Sequence, residues 1–305
     1  MSQPRFSTAL AVLVCLSMTL GACGVAPKPV HHAATQKTFG GSRPVTISVP
    51  TQYNNDDPTP LLILLHGYGA SGAEETAYLE IDNLVEEAGI IFAAPDGTPD
   101  SSGSRFWNAT DACCNFGKVP VDDVGYIASL ITDISAEWNV DPKRVYLMGH
   151  SNGGFMSYRM ACEKADLLAG IVVLAGETYA DTATCHPSRA VNLLHIQGTA
   201  DNEILYGGGQ ITVDGMTWPP YPGALQSVQT WAGYDHCSTT LASAGPNLDL
   251  DSVLVGAETT QQHESSCPSG VDVALWTIVG GSHLPNVTTD FHTDVWRWMA
   301  AHPQK

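Results

Sequence analysis

At 305 residues the chain is long enough to bury a full core, as one large α/β domain or two small ones. Its 31 acidic residues outnumber 13 Lys and Arg, for a net charge of −18. That balance argues against a nucleic-acid partner and against a polybasic hold on anionic lipid.

The first residues read as a targeting segment. Arg5 supplies a thin positive region, and residues 8–20 form an apolar stretch too short to span a bilayer as a mature helix. Leu20-Gly21-Ala22-Cys23 follows. Small residues before a cysteine resemble the lipobox of bacterial lipoproteins, which implies cleavage before Cys23 and lipid on its thiol. An ordinary secretory signal is the alternative. The expected layout is a lipoprotein signal peptide over 1–22, a flexible tether over 23–39 and one domain over 40–305. The expected location is outside the cytoplasm, either anchored to a membrane through that lipid or secreted. Six cysteines follow Cys23, and an even number in an exported chain suggests disulfides. Cys113, Cys114, Cys162, Cys185, Cys237 and Cys267 include no C-x-x-C pair, which argues against zinc or a redox motif. Their spacing leaves the pairing open, except that the neighbours Cys113 and Cys114 can hardly pair with each other without strain.

Along the domain, Val45, Ile47 and Val49 alternate and predict a strand over 44–50, at a sheet edge. Residues 61–65 are a continuous apolar run, as a buried parallel strand requires, and lead into His66-Gly67-Tyr68-Gly69. A strand running into an HG-x-G turn is placed to supply half of an oxyanion hole, here the backbone N–H of Tyr68. Residues 71–88 have a helical pattern, with Glu74 and Glu75 favourably placed near its start. A strand over 89–95 precedes a long irregular loop over 96–118. Trp107 in that loop reads either as a substrate wall or as the loop's core anchor. Helix 121–138 follows.

Next comes the centre of the sequence. The apolar run 144–148 leads into Gly149-His150-Ser151-Asn152-Gly153-Gly154, and a helical pattern covers 155–164. Strand, G-x-S-x-G, helix is the context of a nucleophile elbow, with Ser151 exposed at a sharp turn. The N–H of Asn152, at the helix start, is the second expected oxyanion donor.

Two more apolar strands span 169–174 and 191–196. The second runs into Gly198-Thr199-Ala200-Asp201, which places Asp201 where a triad acid belongs. Glu203 is the runner-up, and Asp122 with Asp123 fit the chain order poorly because they precede the serine. Residues 205–223, rich in Gly, Pro and aromatics, read as a loop over the active edge, and 224–236 as a helix. Asp249-Leu250-Asp251 lacks the rest of a calcium loop and reads as a solvated strand end. A last strand over 271–279 leads to Gly280-Gly281-Ser282-His283, then to a helix over 289–301. His283, between last strand and last helix, is the expected general base. His195 lies inside a strand, His292 on a helix, and His31 and His32 in the tether. Alternating strands and helices predict an α/β fold with a mostly parallel, doubly wound sheet flanked by helices.

Together LLILLHGYG, RFWNATDACC, VDDVGYI, DPKRVYLMGHSNGGFMSYRMAC, LHIQGTAD and LWTIVGGSH resemble the polyhydroxybutyrate-depolymerase-like esterases. These are relatives of feruloyl and acetylxylan esterases in the α/β-hydrolase superfamily. The resemblance implies an α/β-hydrolase catalytic domain with a triad of Ser151, Asp201 and His283, and no metal or organic cofactor. It also implies that Cys113 and Cys114 pair with Cys162 and Cys185, in unresolved order, and Cys237 with Cys267. Leu284-Pro285 stands where many members have Trp-Pro. The expected function is that of a serine esterase acting on hydroxyalkanoate oligomers or polymers. The alternative within the class is a feruloyl or acetylxylan esterase acting on plant polysaccharide. From another class comes a non-catalytic surface-binding lipoprotein on a hydrolase scaffold.

Overall fold

The structure, a computed structural model, describes residues 37–305. The expected signal peptide, the expected lipidation site Cys23 and all but the end of the expected tether lie outside the described residues. Lys37–Phe39 ends the segment read as tether, yet it is a strand, paired antiparallel with Val45–Ile47. The alternation of Val45 and Ile47 therefore serves a separate small sheet. A bridge between Ser48 and Phe92 ties this segment to the edge of the main sheet, and Val45 and Ile47 are buried in the same core as Leu61 and Ile91.

The main sheet has eight strands. In chain order they are β1 (Thr59–Leu65), β2 (Ile91–Ala93), β3 (Val140–His150), β4 (Gly170–Leu174), β5 (Asn192–Gly198), β6 (Leu241–Ser243), β7 (Thr259–Glu264) and β8 (Val273–Ile278). Their spatial order is β6-β7-β8-β5-β4-β3-β1-β2. All pairs from β2 to β8 are parallel, and β7 and β6 extend the sheet antiparallel. β1 shows why the interior strands read as unbroken apolar runs. Leu61, Ile63 and Leu65 enter one core layer, with Ile127, Ile134, Phe155 and Trp231. Leu62 and Leu64 enter the other, with Leu79, Phe291, Val295 and Met299. Successive side chains point to opposite faces, so a strand covered on both must be apolar throughout. Helices α3 (Asp123–Glu137), α4 (Asn152–Glu163) and α5 (Ala224–Tyr234) cover the first face. Helices α1 (Gly72–Leu79), α2 (Leu84–Glu87) and α6 (Phe291–Ala301) cover the second. No helix of the described residues is long and apolar enough to cross a membrane.

The structure departs from the sequence pattern at several places. The helix expected over 71–88 breaks at Glu80, which sits at φ 52°, and a 3₁₀ turn over Ile81–Asn83 follows. Leu79, Ile81, Leu84 and Val85 are all buried, so the apolar spacing persists although the helix does not. The loop over 205–223 contains a hairpin, Gly209–Val213 against Met216–Tyr221. Its turn residues Asp214 and Gly215 both have positive φ, as a tight Asp-Gly hairpin turn requires. β6 is only three residues long and β7 is largely polar and half-buried, so no apolar run announces them. Asp251, read as solvated, is buried and bridges to Val287.

The cysteines depart from the expected pairing in part. Cys237 joins Cys267 as the resemblance implied. Cys162, on α4, joins Cys185, with Cα atoms 5.4 Å apart, inside the usual disulfide range. That leaves neither for the neighbouring Cys113 and Cys114, which are paired with each other.

Candidate active site

The parallel register sets the ends of the central strands level. Leu65 of β1 lies beside Gly149 of β3, and Gly198 of β5 beside Ile278 of β8. The turns that leave these strands therefore meet at the carboxyl edge of the sheet, where open α/β folds bind ligands. They carry His66 to Gly69, Ser151, Asp201 and His283.

Ser151 forms the corner between β3 and α4, at φ 53° and ψ −120°. A non-glycine residue holds such a conformation only where its surroundings impose it. They do so here through close backbone contact. A Cβ on Gly149 would lie 2.1 Å from the Gly153 carbonyl oxygen, and one on Gly153 would lie 2.0 Å from that of Leu65. The Ser151 N–H donates to Leu174 O at 2.8 Å, which fixes the corner to β4. α4 then begins at Asn152, directly after the serine.

The HG-x-G turn packs against this corner. A Cβ on Gly67 would be 3.5 Å from that of Ser151. Gly67 N–H is given to Glu75 Oε2 and Gly69 N–H to Arg105 O. The N–H groups of Tyr68 and Asn152 donate to no acceptor among the described residues. Two unspent backbone donors beside a strained serine are available to hydrogen-bond an anionic oxygen. The Tyr68 phenol donates to Asp100 Oδ2 at 2.6 Å. Burial and that bond push it up to about 12, so it stays neutral.

Asp201 and His283 meet at the other side. His283 Nδ1 is 2.9 Å from Asp201 Oδ2, and both side chains are buried. Asp201 Oδ1 accepts the N–H groups of Glu203 and Ile204, each at 2.9 Å. Its carboxylate is thus held in place and its free direction points at the imidazole. Glu203 takes a different position from the one its runner-up status implied. Its exposed carboxylate lies 3.7 Å from Nε2, on the far side of the ring from Asp201. Asp122 caps α3 through Gly125 N–H, and Asp123 pairs with Arg43, so neither joins the histidine. His195 is enclosed between Tyr158 and Gln197, and burial lowers it to about 4.

Trp107 is not a substrate wall. It is 0% exposed. Its backbone N–H donates to Asn152 Oδ1, its carbonyl accepts from Asn152 Nδ2, and its indole donates to His66 O. It ties the 96–118 loop to both proposed oxyanion segments. A half-buried aromatic cluster, with only Tyr68 exposed, lies elsewhere. Tyr68, 39% exposed, meets the edge of Phe116 at 5.4 Å between centroids, and Phe116 meets Trp218 of the hairpin at 5.3 Å.

Sequence reasoning missed two buried carboxylates near the site. Glu75 approaches His150, with Oε1 3.2 Å from Nδ1. Glu177, after β4, is fully enclosed and touches Ser227 Oγ. Burial pushes Glu177 well above the usual carboxylate range. A glutamate in an early helical turn carries no local sign of such a role, and only the tertiary contacts reveal it.

Comparison with known proteins agrees with this picture. Feruloyl esterase B of Piromyces equi is 29% identical over 244 residues, 79% of this chain and 42% of that protein. Feruloyl esterase D of Neurospora crassa is 23% identical over 276 residues, 87% of this chain and 82% of that one. The chain spans less than half the length of the first of these relatives. Among solved structures, acetyl xylan esterase from Aspergillus awamori superposes with a TM-score of 0.61 at 15% identity, over 88% of this chain and 100% of that one, and so shares the α/β-hydrolase fold. The family described as "Putative esterase" matches residues 36–269, and the chain belongs to that Esterase family.

Proposed function

We propose that the protein is a serine esterase that cleaves carboxylic esters through an acyl-enzyme. The observation that carries this reading is the convergence of three groups at one sheet edge. These are the strained Ser151 corner, the 2.9 Å contact of His283 with Asp201, and the unspent N–H groups of Tyr68 and Asn152. In this chemistry His283 takes the proton of Ser151 as its oxygen attacks the ester carbonyl. The two N–H groups stabilise the oxyanion, and Asp201 holds the imidazole in the tautomer with Nδ1 protonated. His283 returns the proton to the departing alcohol and then activates water to release the acid.

For the substrate, the better reading is a feruloylated or acetylated saccharide. The named relatives are feruloyl esterases, and the fold neighbour is an acetyl xylan esterase. The Tyr68, Phe116 and Trp218 rings supply flat apolar surface beside the oxyanion turn, suited to an aromatic acyl group or a sugar face. Hydroxyalkanoate oligomers are the second reading, on the resemblance of the sequence motifs, although Leu284 stands where many such esterases carry Trp after the histidine. We place the protein outside the cytoplasm, with Cys23 as its lipid anchor. The disulfides support export. Turnover of methyl ferulate, feruloylated and acetylated sugars, and hydroxybutyrate oligomers by the full chain separates these readings. Preference for the oligomers would reverse the order, and indifference to all would remove both substrate assignments.

A further inference from the structure

Glu75 and His150 occupy a position that the proposed acyl-transfer chemistry does not use. Both side chains are buried, on α1 and at the end of β3. Glu75 Oε1 makes a 3.2 Å ionic contact with His150 Nδ1, while Oε2 accepts the Gly67 N–H at 3.0 Å. On the far side of the ring, His150 Nε2 lies 3.1 Å from the backbone carbonyl of His283. The partners of the imidazole are thus a carboxylate and a carbonyl, and both can only accept. A neutral imidazole has one N–H and would leave one of them facing a lone pair. The doubly protonated ring donates to the carbonyl and sets a positive charge 3.2 Å from Glu75 Oε1, which otherwise has no hydrogen-bond partner.

The pair joins the three segments whose relative placement decides the chemistry. Glu75 holds the turn that presents Tyr68 N–H. His150 is the residue before Ser151. Its other nitrogen holds the main chain of His283, whose ring centroid lies 5.1 Å from its own. A neighbouring clamp reinforces the same loop, since Tyr78 on α1 donates to Pro285 O at 2.7 Å.

We infer that Glu75 and His150 form a buried carboxylate–imidazolium pair that positions the oxyanion turn, the serine corner and the histidine loop relative to one another. Glu75 and His150 are positioning residues; neither exchanges a proton with substrate. The inference rests on the reading of Ser151 and His283 as nucleophile and base. Misplacement of reacting groups by about 1 Å can cost about 10²-fold in rate, and this pair guards against such drift.

The test uses the full chain and its E75Q and E75L variants. It measures kcat and KM on a short-chain p-nitrophenyl ester, the rate of Ser151 labelling by a fluorophosphonate, and folding by near-ultraviolet circular dichroism. The expected result for folded E75L is a fall in kcat of about 10²-fold, with little change in KM and a matching fall in labelling rate. E75Q, which keeps a carbonyl acceptor but no charge, falls less. Because E75L risks unfolding, ¹⁵N-histidine NMR of the unmutated chain at pH 7 supplies an independent readout. One buried imidazole must carry protons on both nitrogens, and that signal must disappear or shift in E75Q. Unchanged kcat and labelling in both folded variants, or a His150 ring with a bare nitrogen, would overturn the inference. If the unmutated chain neither hydrolyses nor labels, the esterase reading fails, and the NMR result still decides whether the pair exists.

Discussion

Asn152 and Trp107 bind each other twice through one side chain. Asn152 Oδ1 accepts the Trp107 N–H at 2.7 Å, and Nδ2 donates to the Trp107 carbonyl at 3.0 Å. The amide thus closes a two-bond ring with the backbone of a loop that begins far away in sequence. Its own backbone N–H meanwhile, directly after Ser151, donates to no acceptor among the described residues. One residue therefore fixes the 96–118 loop and supplies a proposed oxyanion donor.

From this follows the first prediction. Asn152→Ala leaves the buried Trp107 N–H without an acceptor, while the Trp107 carbonyl keeps the Ala109 N–H. That lost partner costs about 1–3 kcal/mol, so the urea midpoint should fall clearly although the substitution removes little volume. Activity should fall as well, because the loop releases the turn that Trp107 holds through His66. A midpoint equal to that of the unmutated chain would show that the loop is held by other contacts.

The second concerns Asp201. Asp201→Asn retains the shape but offers an amide in place of a carboxylate to His283 Nδ1. In a serine–histidine–aspartate arrangement such a change lowers kcat by about 10⁴ through the wrong tautomer. Glu203→Gln should leave most activity, since Glu203 takes no part in the Nδ1 contact. Steady-state kinetics of both variants distinguish the two acids, and a reversed order would reassign the acid to Glu203.

The third is a pH dependence. Burial opposes charge on both Glu75 and His150, but each counters it for the other, so Glu75 lies below its ordinary value and His150 above it. The groups facing His150 are Glu75 and Tyr78 on α1, Asp201 after β5, and His283 after β8. A lowered carboxylate stabilises the fold fully above the ordinary glutamate range, and this is lost as pH falls through its folded value. A raised imidazolium stabilises fully below the ordinary histidine range, and this is lost as pH rises through its folded value. The stability gap between the unmutated chain and E75Q should therefore be widest between those ordinary values, around pH 5 to 6.5. There, breaking a buried pair costs about 3–5 kcal/mol. Urea unfolding across pH 4 to 9 checks this, and a gap that does not change with pH would contradict it.

The fourth concerns the disulfides. Peptide mapping without reduction should recover Cys162 joined to Cys185 and Cys237 joined to Cys267. Replacing Cys237 and Cys267 together by serine should lower stability by about 2–4 kcal/mol, because the bond closes a loop between residues 30 apart. A map with Cys113 or Cys114 bridged to Cys162 would contradict the pairing described here.

What could be read in the sequence was whatever leaves a local mark. Ser151 announces itself by glycines that the turn requires, and β1 by a run that two core faces require. Asp201 and His283 stand at strand ends, where chain order alone directs attention. The hairpin over 209–221 also left a mark, Asp214-Gly215 between alternating residues, which the surrounding prolines and glycines obscured. Other features leave none. Glu75 lies 75 positions before His150, and a favourable place near a helix start explains it equally well in sequence. Trp107 reads the same whether its ring faces solvent or core, because the neighbours that bury it come from distant segments. Disulfide pairing likewise depends on which cysteines the fold brings within reach.

The most direct test of the central claim is hydrolysis of a short-chain p-nitrophenyl ester by the full chain beside Ser151→Ala. Turnover by the unmutated protein, with a loss of several orders of magnitude in the folded variant, is the expected result. Equal activity of the two would show that Ser151 is not the nucleophile. An unmutated chain that is folded yet inactive on esters and unreactive toward fluorophosphonate would favour a binding role on a hydrolase scaffold instead.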